Sequence, residues 1–329
     1  MGNFYLKSVA EQKEESFRRL LNYLREVIGP YHPYYHRIFK EQGIDPYKIR
    51  TPADLAKAIP LTHKDDYRAD PLAFIVQPTF PGQEARYDTD RIGAKFIAKY
   101  LLQSVFNVPR DYAAMYRANF KEPFTYKKIG RRATLEWMPI HFHASAGSTG
   151  DPTPATYTYR DLHLNVKECA SAFWCGREVR WDHRALNIFP GAPHLAFFQV
   201  IMGKWLGGSS GFDTFGGTVV PTERQIQLFS EGGFDALVAI PSYMVYWLRR
   251  AVEMVESGEV KPLEKFFIGL VAAEPLTDSL RRYIKDMVAR LGGRKDFRLV
   301  QGYGMTEMKI AFYECEEQAN IHLNPKYFY

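Results

Sequence analysis

Apolar residues recur along this chain at two spacings, and the change from one to the other divides it. Over 12–27, Phe17, Leu20, Leu21, Leu24 and Val27 fall at helical spacing and predict an amphipathic helix. A second helix is expected from Pro33 to Glu41, stopped before Gly43. TPADLAKA has Thr51 as N-cap, Pro52 at the first helical position and Asp54 in the first turn. PLTHKDDYRAD reads the same way, with Thr62 as its cap. Residues 1–78 are therefore expected to form a helical lead-in.

From 136 the period shortens. In WMPIHFHASA, Ile140, Phe142 and Ala144 alternate with His141 and His143, and ATYTY alternates again beyond a glycine-rich loop. A strand–loop–strand unit is expected there, followed by a helix capped by Asp161 and running to about Cys175. Strands are then expected at 184–190, 217–221, 234–241, 266–273 and 297–304. Helices are expected near 196–207, 222–231, 242–258 and 277–293. Apolar strands alternating with amphipathic helices give an α/β class with mostly parallel strands. The α/β core that such a pattern can build would span 137–329, with no internal repeat and no low-complexity linker.

Composition narrows the class. The chain has 329 residues, 46% of them hydrophobic and 15% aromatic, which excludes general disorder. Three cysteines, Cys169, Cys175 and Cys315, form no CxxC pair and no disulfide framework, which suggests a reducing compartment. The N-terminal stretch lacks the apolar run of a signal peptide, Leu6 stands where a myristoylation signal needs Ser or Thr, and no window is long and apolar enough to span a membrane. A cytoplasmic setting is the expectation. Between 81 and 132, eleven Lys and Arg face five Asp and Glu, a surplus as large as the chain's whole +6. This divergent basic segment, 79–136, reads either as a solvated surface or as a patch that attracts a polyanion or an acidic partner.

Three short motifs could carry chemistry. HASAGSTGDPTPATY sets Ser145, Ala146, Gly147, Ser148, Thr149 and Gly150 in one turn, whose N–H and O–H groups could cradle phosphate. It is not a P-loop of the Walker kind, because Asp151 and Pro152 follow and a strand comes next. Taken alone, it reads first as a hairpin turn. QGYGMTE, 301–307, ends a strand at the place where α/β folds put ligands. There Tyr303 could stack on a base, Thr306 could donate to phosphate and Glu307 could hold magnesium; otherwise it is a strand exit with Thr306 as an N-cap. VAAEPLTDSLRRY places Ala272 and Ala273 at a strand end, where a flat ligand or merely a packed helix would lie. His141 and His143 share a strand face with no third ligand in view, Cys315 and His322 also lack partners, and His194 reads as structural.

Order and spacing make these motifs specific together. The glycine loop, then AIPSY, then AAEPLT, then YGMTE resembles the adenylate-forming superfamily of AMP-forming acyl-CoA synthetases, most nearly the phenylacetate–coenzyme A ligase family. The lead-in YYHRIFKEQGIDPYKIRTPADLAKAIPLTHKDDYR and the segments GGTVVPTERQIQLF and YECEEQANIHL extend the resemblance. It covers roughly 30–78 and 137–323.

The resemblance implies that 145–150 bind the ATP phosphates. Ala273 and Glu274 would flank adenine, and Tyr303, followed by Gly304 and Met305, would stack on it. Thr306 would contact phosphate and Glu307 would ligate magnesium. Phe189, His194 and Tyr243 would line the pocket for the acid. The implied reaction joins an aromatic or apolar carboxylic acid to ATP as an acyl-adenylate, then to coenzyme A. An acyl carrier protein is the alternative acceptor, and a nucleotide-binding domain without ligase activity the alternative role. Neither nucleic acid nor membrane is expected as a partner, and a homodimer is open. Asp151 stands where relatives commonly carry Lys, and Ala272 and Ala273 where they often carry Gly, the latter a mild change. The family's ribose-binding Asp and its small lysine-bearing C-terminal domain have no counterpart in the sequence, so a fragment of a longer enzyme is expected.

Overall fold

The computed structural model describes residues 7–76, 139–145, 152–158, 161–166, 170, 174, 179–191, 193–314 and 321–322. They fall into two compact units. The expected basic segment 79–136 lies outside the described residues, as do 146–151 and the three cysteines.

In the first unit, the opening helix is Val9–Tyr23 and starts ahead of the expected residue 12. The reason is a reciprocal cap: Glu11 N–H donates to the Ser8 hydroxyl, and Ser8 N–H to the Glu11 carboxylate at 2.9 Å. The helix widens into a π-helical turn over Leu24–Ile28. Pro33–Gln42 then ends at Gly43, whose φ of +64° is the left-handed conformation expected of a C-terminal glycine. Leu21, Leu24, Phe39 and Ile49 make a small core between these helices.

Pro52–Ala58 carries the expected Thr51 cap, closed reciprocally by Asp54. The next helix, Lys64–Ala69, corrects one expectation, since its N-cap residue is His63 and not Thr62. His63 N–H donates to the Asp66 carboxylate at 2.8 Å, while the Thr62 hydroxyl is engaged with Tyr35 Oη at 2.7 Å. The expected strand–loop–strand unit is present as a two-stranded sheet of β1 (Pro139–Ala144) and β2 (Pro154–Thr158). The boundary between the units runs through β1, after Phe142.

The second unit is built on a seven-stranded sheet of order β4-β3-β5-β6-β7-β8-β9. β3 (Arg184–Asn187), β4 (Ser210–Asp213), β5 (Ala236–Ala239), β6 (Ile268–Val271) and β7 (Arg298–Met305) pair in parallel. β8 (Ile310–Glu314) and β9 (Ile321–His322) add an antiparallel edge. Every residue of β5 and β6 is buried. One cluster of buried side chains gathers Phe229, Met244, Trp247 and Phe266, and a second gathers Trp174, Phe189, Phe197 and Val238. Each such side chain is worth roughly 1.5–3 kcal/mol of burial. The α/β class with a mainly parallel sheet is thus present, flanked by helices Leu195–Gly207, Thr222–Gly232, Pro241–Glu256 and Asp278–Arg290. No helix among the described residues is long and apolar enough to cross a membrane.

Two expectations are corrected here. Residues 217–221 are not a strand: Gly216 has φ +81°, and the buried Gln225 amide donates to the carbonyls of Gly216 and Val220, closing a loop that leaves Val219 68% exposed. The strand beside β3 is instead the short, polar SGFD of β4. Asp161 does not simply cap an α-helix; it begins a π-helical turn, Asp161–Val166, and its carboxylate is bound to Lys309.

The antiparallel edge is fastened by a buried ion pair. Arg281 Nη2 donates to both Glu314 carboxylate oxygens at 2.7 and 2.9 Å, and Nη1 donates to the Leu299 carbonyl at 2.6 Å. Gln301 N–H completes the Glu314 shell at 2.8 Å. Truncating one member strands the other charge in the interior. Glu314→Ala is expected to lower urea-measured stability by about 3–5 kcal/mol. Arg281→Met/Glu314→Leu should lose less than that single variant, because neither charge is then left alone.

Candidate functional site

Parallel strands deliver their carboxyl ends to one edge of the sheet, and the register here does so level by level. Ala239 lies beside Val271, and Val271 beside Gln301. The residues that follow, 240–242, 272–274 and 302–305, therefore lie beyond the parallel pairing at one edge, the last group still paired with β8.

The exits of β5 and β6 are tied together. Glu274 accepts hydrogen bonds from Ser242 N–H and from Ser242 Oγ, both at 2.8 Å. Ser242 lies in the first turn of helix Pro241–Glu256, so a carboxylate completes that helix N-terminus. The Glu274 side chain is thereby committed to the scaffold, and its backbone is what remains for a ligand. Ala273 has φ +76°, a conformation L-residues rarely adopt. Replacing glycine at that position is therefore not a mild change, which corrects the expectation above.

β7 carries the next group. Gly302 is buried, and a Cβ there would lie 3.2 Å from the Tyr313 ring. Tyr303 is 49% exposed, with one face backed in parallel by Phe312 at 6.4 Å and 10°. That leaves a flat aromatic face available for stacking. Gly304 and Met305 are also exposed, and Thr306 and Glu307 are half-buried. Thr306 does not cap a helix: β7 runs to Met305, and a tight turn leads straight into β8. In that turn the N–H groups of Met308 and Lys309 donate to the Met305 carbonyl at 3.1 and 3.2 Å.

Of the expected phosphate loop, Ser145 is placed just after β1, while Ala146, Gly147, Ser148, Thr149 and Gly150 lie outside the described residues. The loop's entry is anchored, since Ala144 N–H donates to the Pro193 carbonyl at 3.1 Å. His143 is buried against Phe198 at 4.9 Å.

The three acid-pocket candidates sit in different surroundings. Phe189 is in the core with Trp174 and Phe197, and its N–H donates to Asn187 Oδ1 at 3.2 Å. His194 occupies the N-cap position of helix Leu195–Gly207, and burial holds its imidazole below the ordinary histidine range. Tyr243 Oη donates to Gln225 Oε1 at 3.2 Å and lies 3.0 Å from Thr222 Oγ1. No contact joins Phe189 or His194 to Tyr243 among the bonds and ring contacts described here.

Two residues near these groups carried no signal in the sequence. Phe215, at φ +57°, lays its ring 4.6 Å from Phe197 and so close over Gly191 that a Cβ there would lie 2.4 Å from it. Lys309, at φ +63°, ion-pairs with Asp161 at 2.6 Å.

Among the described residues, no three of His, Cys, Asp and Glu converge as a metal site would require. Magnesium makes no such demand. It keeps several waters and binds through one or two carboxylates plus substrate phosphates, a requirement that a single carboxylate such as that of Glu307 can meet.

Two outcomes follow from this geometry. Ala273→Gly is expected to raise stability by up to about 1 kcal/mol, as relief of the left-handed strain exceeds glycine's entropy cost; chemical denaturation reads it. His194 has a folded-state pKa depressed below 6.5, so its contribution to stability is full above 6.5 and is lost as pH falls through the folded-state value. His194→Gln should flatten that acid limb of a stability-against-pH curve.

The AMP-binding enzyme family model matches residues 75–326. A phenylacetate-coenzyme A ligase of Pseudomonas putida is 29% identical over 201 residues, covering 57% of this chain and 41% of that protein. The enzyme of the same name from Aromatoleum evansii is 27% identical over 282 residues, covering 84% and 47%. The chain thus spans less than half the length of these relatives. Among solved structures, an open conformation of 2-hydroxyisobutyryl-CoA ligase, in complex with 2-HIB-AMP and CoA, superposes with a TM-score of 0.62 at 15% identity. It covers 94% of this chain and 58% of its own, a likeness of fold.

Proposed function

The chain belongs to the AMP-binding enzyme family, and from that premise we propose that it forms the nucleotide- and acid-binding part of an AMP-forming acid–coenzyme A ligase. The observation that carries the reading is the gathering of 273–274 and 303–307 at the carboxyl ends of two adjacent parallel strands, β6 and β7.

Adenine would lie between the Ala273–Glu274 backbone and the open face of Tyr303. Thr306 Oγ1 would donate to a phosphate oxygen, together with N–H and O–H donors of the 145–150 loop. The carboxylate of the acid substrate attacks the α-phosphorus, the bond to the bridging oxygen breaks, and pyrophosphate leaves. Negative charge builds on non-bridging oxygens during this step, so donors already oriented toward them lower the barrier. Glu307 would help hold a magnesium ion, which would supply neutralisation of phosphate charge. In the second half-reaction a thiolate attacks the acyl carbon and AMP departs, leaving a thioester.

Phe189, His194 and Tyr243 would shape the acid's surroundings, and their largely aromatic character favours an aromatic or apolar acid. The named relatives are phenylacetate-coenzyme A ligases, which supports arylacetic acids as the first substrates to try.

Acid-dependent exchange of labelled pyrophosphate into ATP tests the first half-reaction. Binding of a non-hydrolysable acyl-adenylate analogue, followed by calorimetry, tests the site without turnover. Glu307→Gln is expected to lower the exchange rate about 10²–10³-fold. Tyr303→Ala should weaken the analogue about tenfold, as the loss of one base–aromatic stack does. Neither exchange nor analogue binding in the unaltered protein would remove the proposal.

A further inference from the structure

The turn from Met305 to Ile310 carries the two residues assigned to phosphate and magnesium, and something must hold it still. Lys309 closes this turn at φ +63°, where glycine would fit without strain. The conformation itself favours glycine over lysine, so the lysine side chain is the reason to look for. Its Nζ lies 2.6 Å from Asp161 Oδ2. The two side chains are only 18% and 15% exposed, so the pair is largely shielded from water and salt. Asp161 opens the π-helical turn Asp161–Val166, 148 residues earlier in the chain and in the same unit. The ion pair therefore crosslinks the β7–β8 turn to a distant segment of that unit. The Lys309 N–H also donates to the carbonyls of Met305 and Thr306 at 3.2 Å, so side chain and backbone of one residue fix both ends of the motif.

We propose that Lys309, through Asp161, is a positioning residue that holds Thr306 and Glu307 at the geometry adenylation requires. This rests on the ligase reading above. Neither Lys309 nor Asp161 is assigned a contact with substrate; both act through the turn. A misplacement of about 1 Å at a reacting centre costs about a hundredfold in rate, so a crosslink two residues from Glu307 is well placed to matter.

The test uses the whole chain and three variants. Lys309→Gly removes the cation but keeps the turn conformation, and it should leave thermal stability unchanged or raised. It should nevertheless raise the KM for ATP or lower the exchange rate about ten- to a hundredfold. Asp161→Asn should do the same, and the double variant should be no worse than either single one. The reversed pair Asp161→Lys/Lys309→Asp should recover part of the loss.

Hydrogen exchange of the amides at 305–309 is read in parallel, with faster exchange expected in Lys309→Gly. Unchanged exchange kinetics at these amides, or additive effects of the two single variants on catalysis, would overturn the proposal. If the unaltered chain shows no ATP chemistry, the ligase reading fails, while amide exchange still decides whether the pair fixes the turn.

Discussion

Strands buried on both faces have only their ends to offer to solvent, and that constraint organises this protein. β5 and β6 have no exposed residue. Their side chains are consumed by two separate clusters, one on Trp247 and Phe229, the other on Phe197 and Val238. Because the strands run parallel, each must be followed by a helix that returns to the start, and all their carboxyl ends open at the same edge. Gly269 marks how tightly this core is filled: a Cβ there would lie 2.8 Å from the Leu299 side chain on the adjacent strand and 3.2 Å from Phe297. The candidate site is thus a consequence of how the core is filled.

Polar contacts then convert that edge from a set of loops into a fixed arrangement. Glu274 ties the β6 exit to the helix after β5. Arg281 and Glu314 tie β8 to β7 and to helix Asp278–Arg290, and Glu314 also accepts from Gln301 N–H just before the exposed part of β7. The antiparallel β8 supplies Phe312, which backs the Tyr303 ring. Residues on these loops are thereby held by contacts to rigid elements, which is what precise placement requires.

Sequence patterning made some of this legible and concealed the rest, for identifiable reasons. Ala236–Ala239, Ile268–Val271 and the helices around them were readable because burial on both faces, or on one helical stripe, leaves an apolar signature. TVV at 218–220 carries the same β-branched signature, yet the two preceding glycines and the buried Gln225 amide turn it into a loop. SGFD has no apolar period, and it becomes β4 because β3 offers it a free edge. In the site, the order of motifs was legible, whereas the left-handed backbone of Phe215, Ala273 and Lys309 was not. Those depend on backbone torsions that no spacing rule encodes.

Torsional strain is where the two levels meet. Among the described residues, the non-glycine residues at positive φ are Phe215, Ala273 and Lys309. Each follows the carboxyl end of a sheet strand: Phe215 after β4, Ala273 after β6, Lys309 after β7. None lies in the helices or in the buried strands, where strain would oppose packing. Such conformations persist only when the surroundings over-determine them. Here the Phe197 ring lies against Phe215, the Glu274–Ser242 bonds follow Ala273, and the Asp161 carboxylate holds Lys309. The stability gathered in the doubly buried strands offsets the strain, and the strain sets the shape of the edge at which the chemistry would occur.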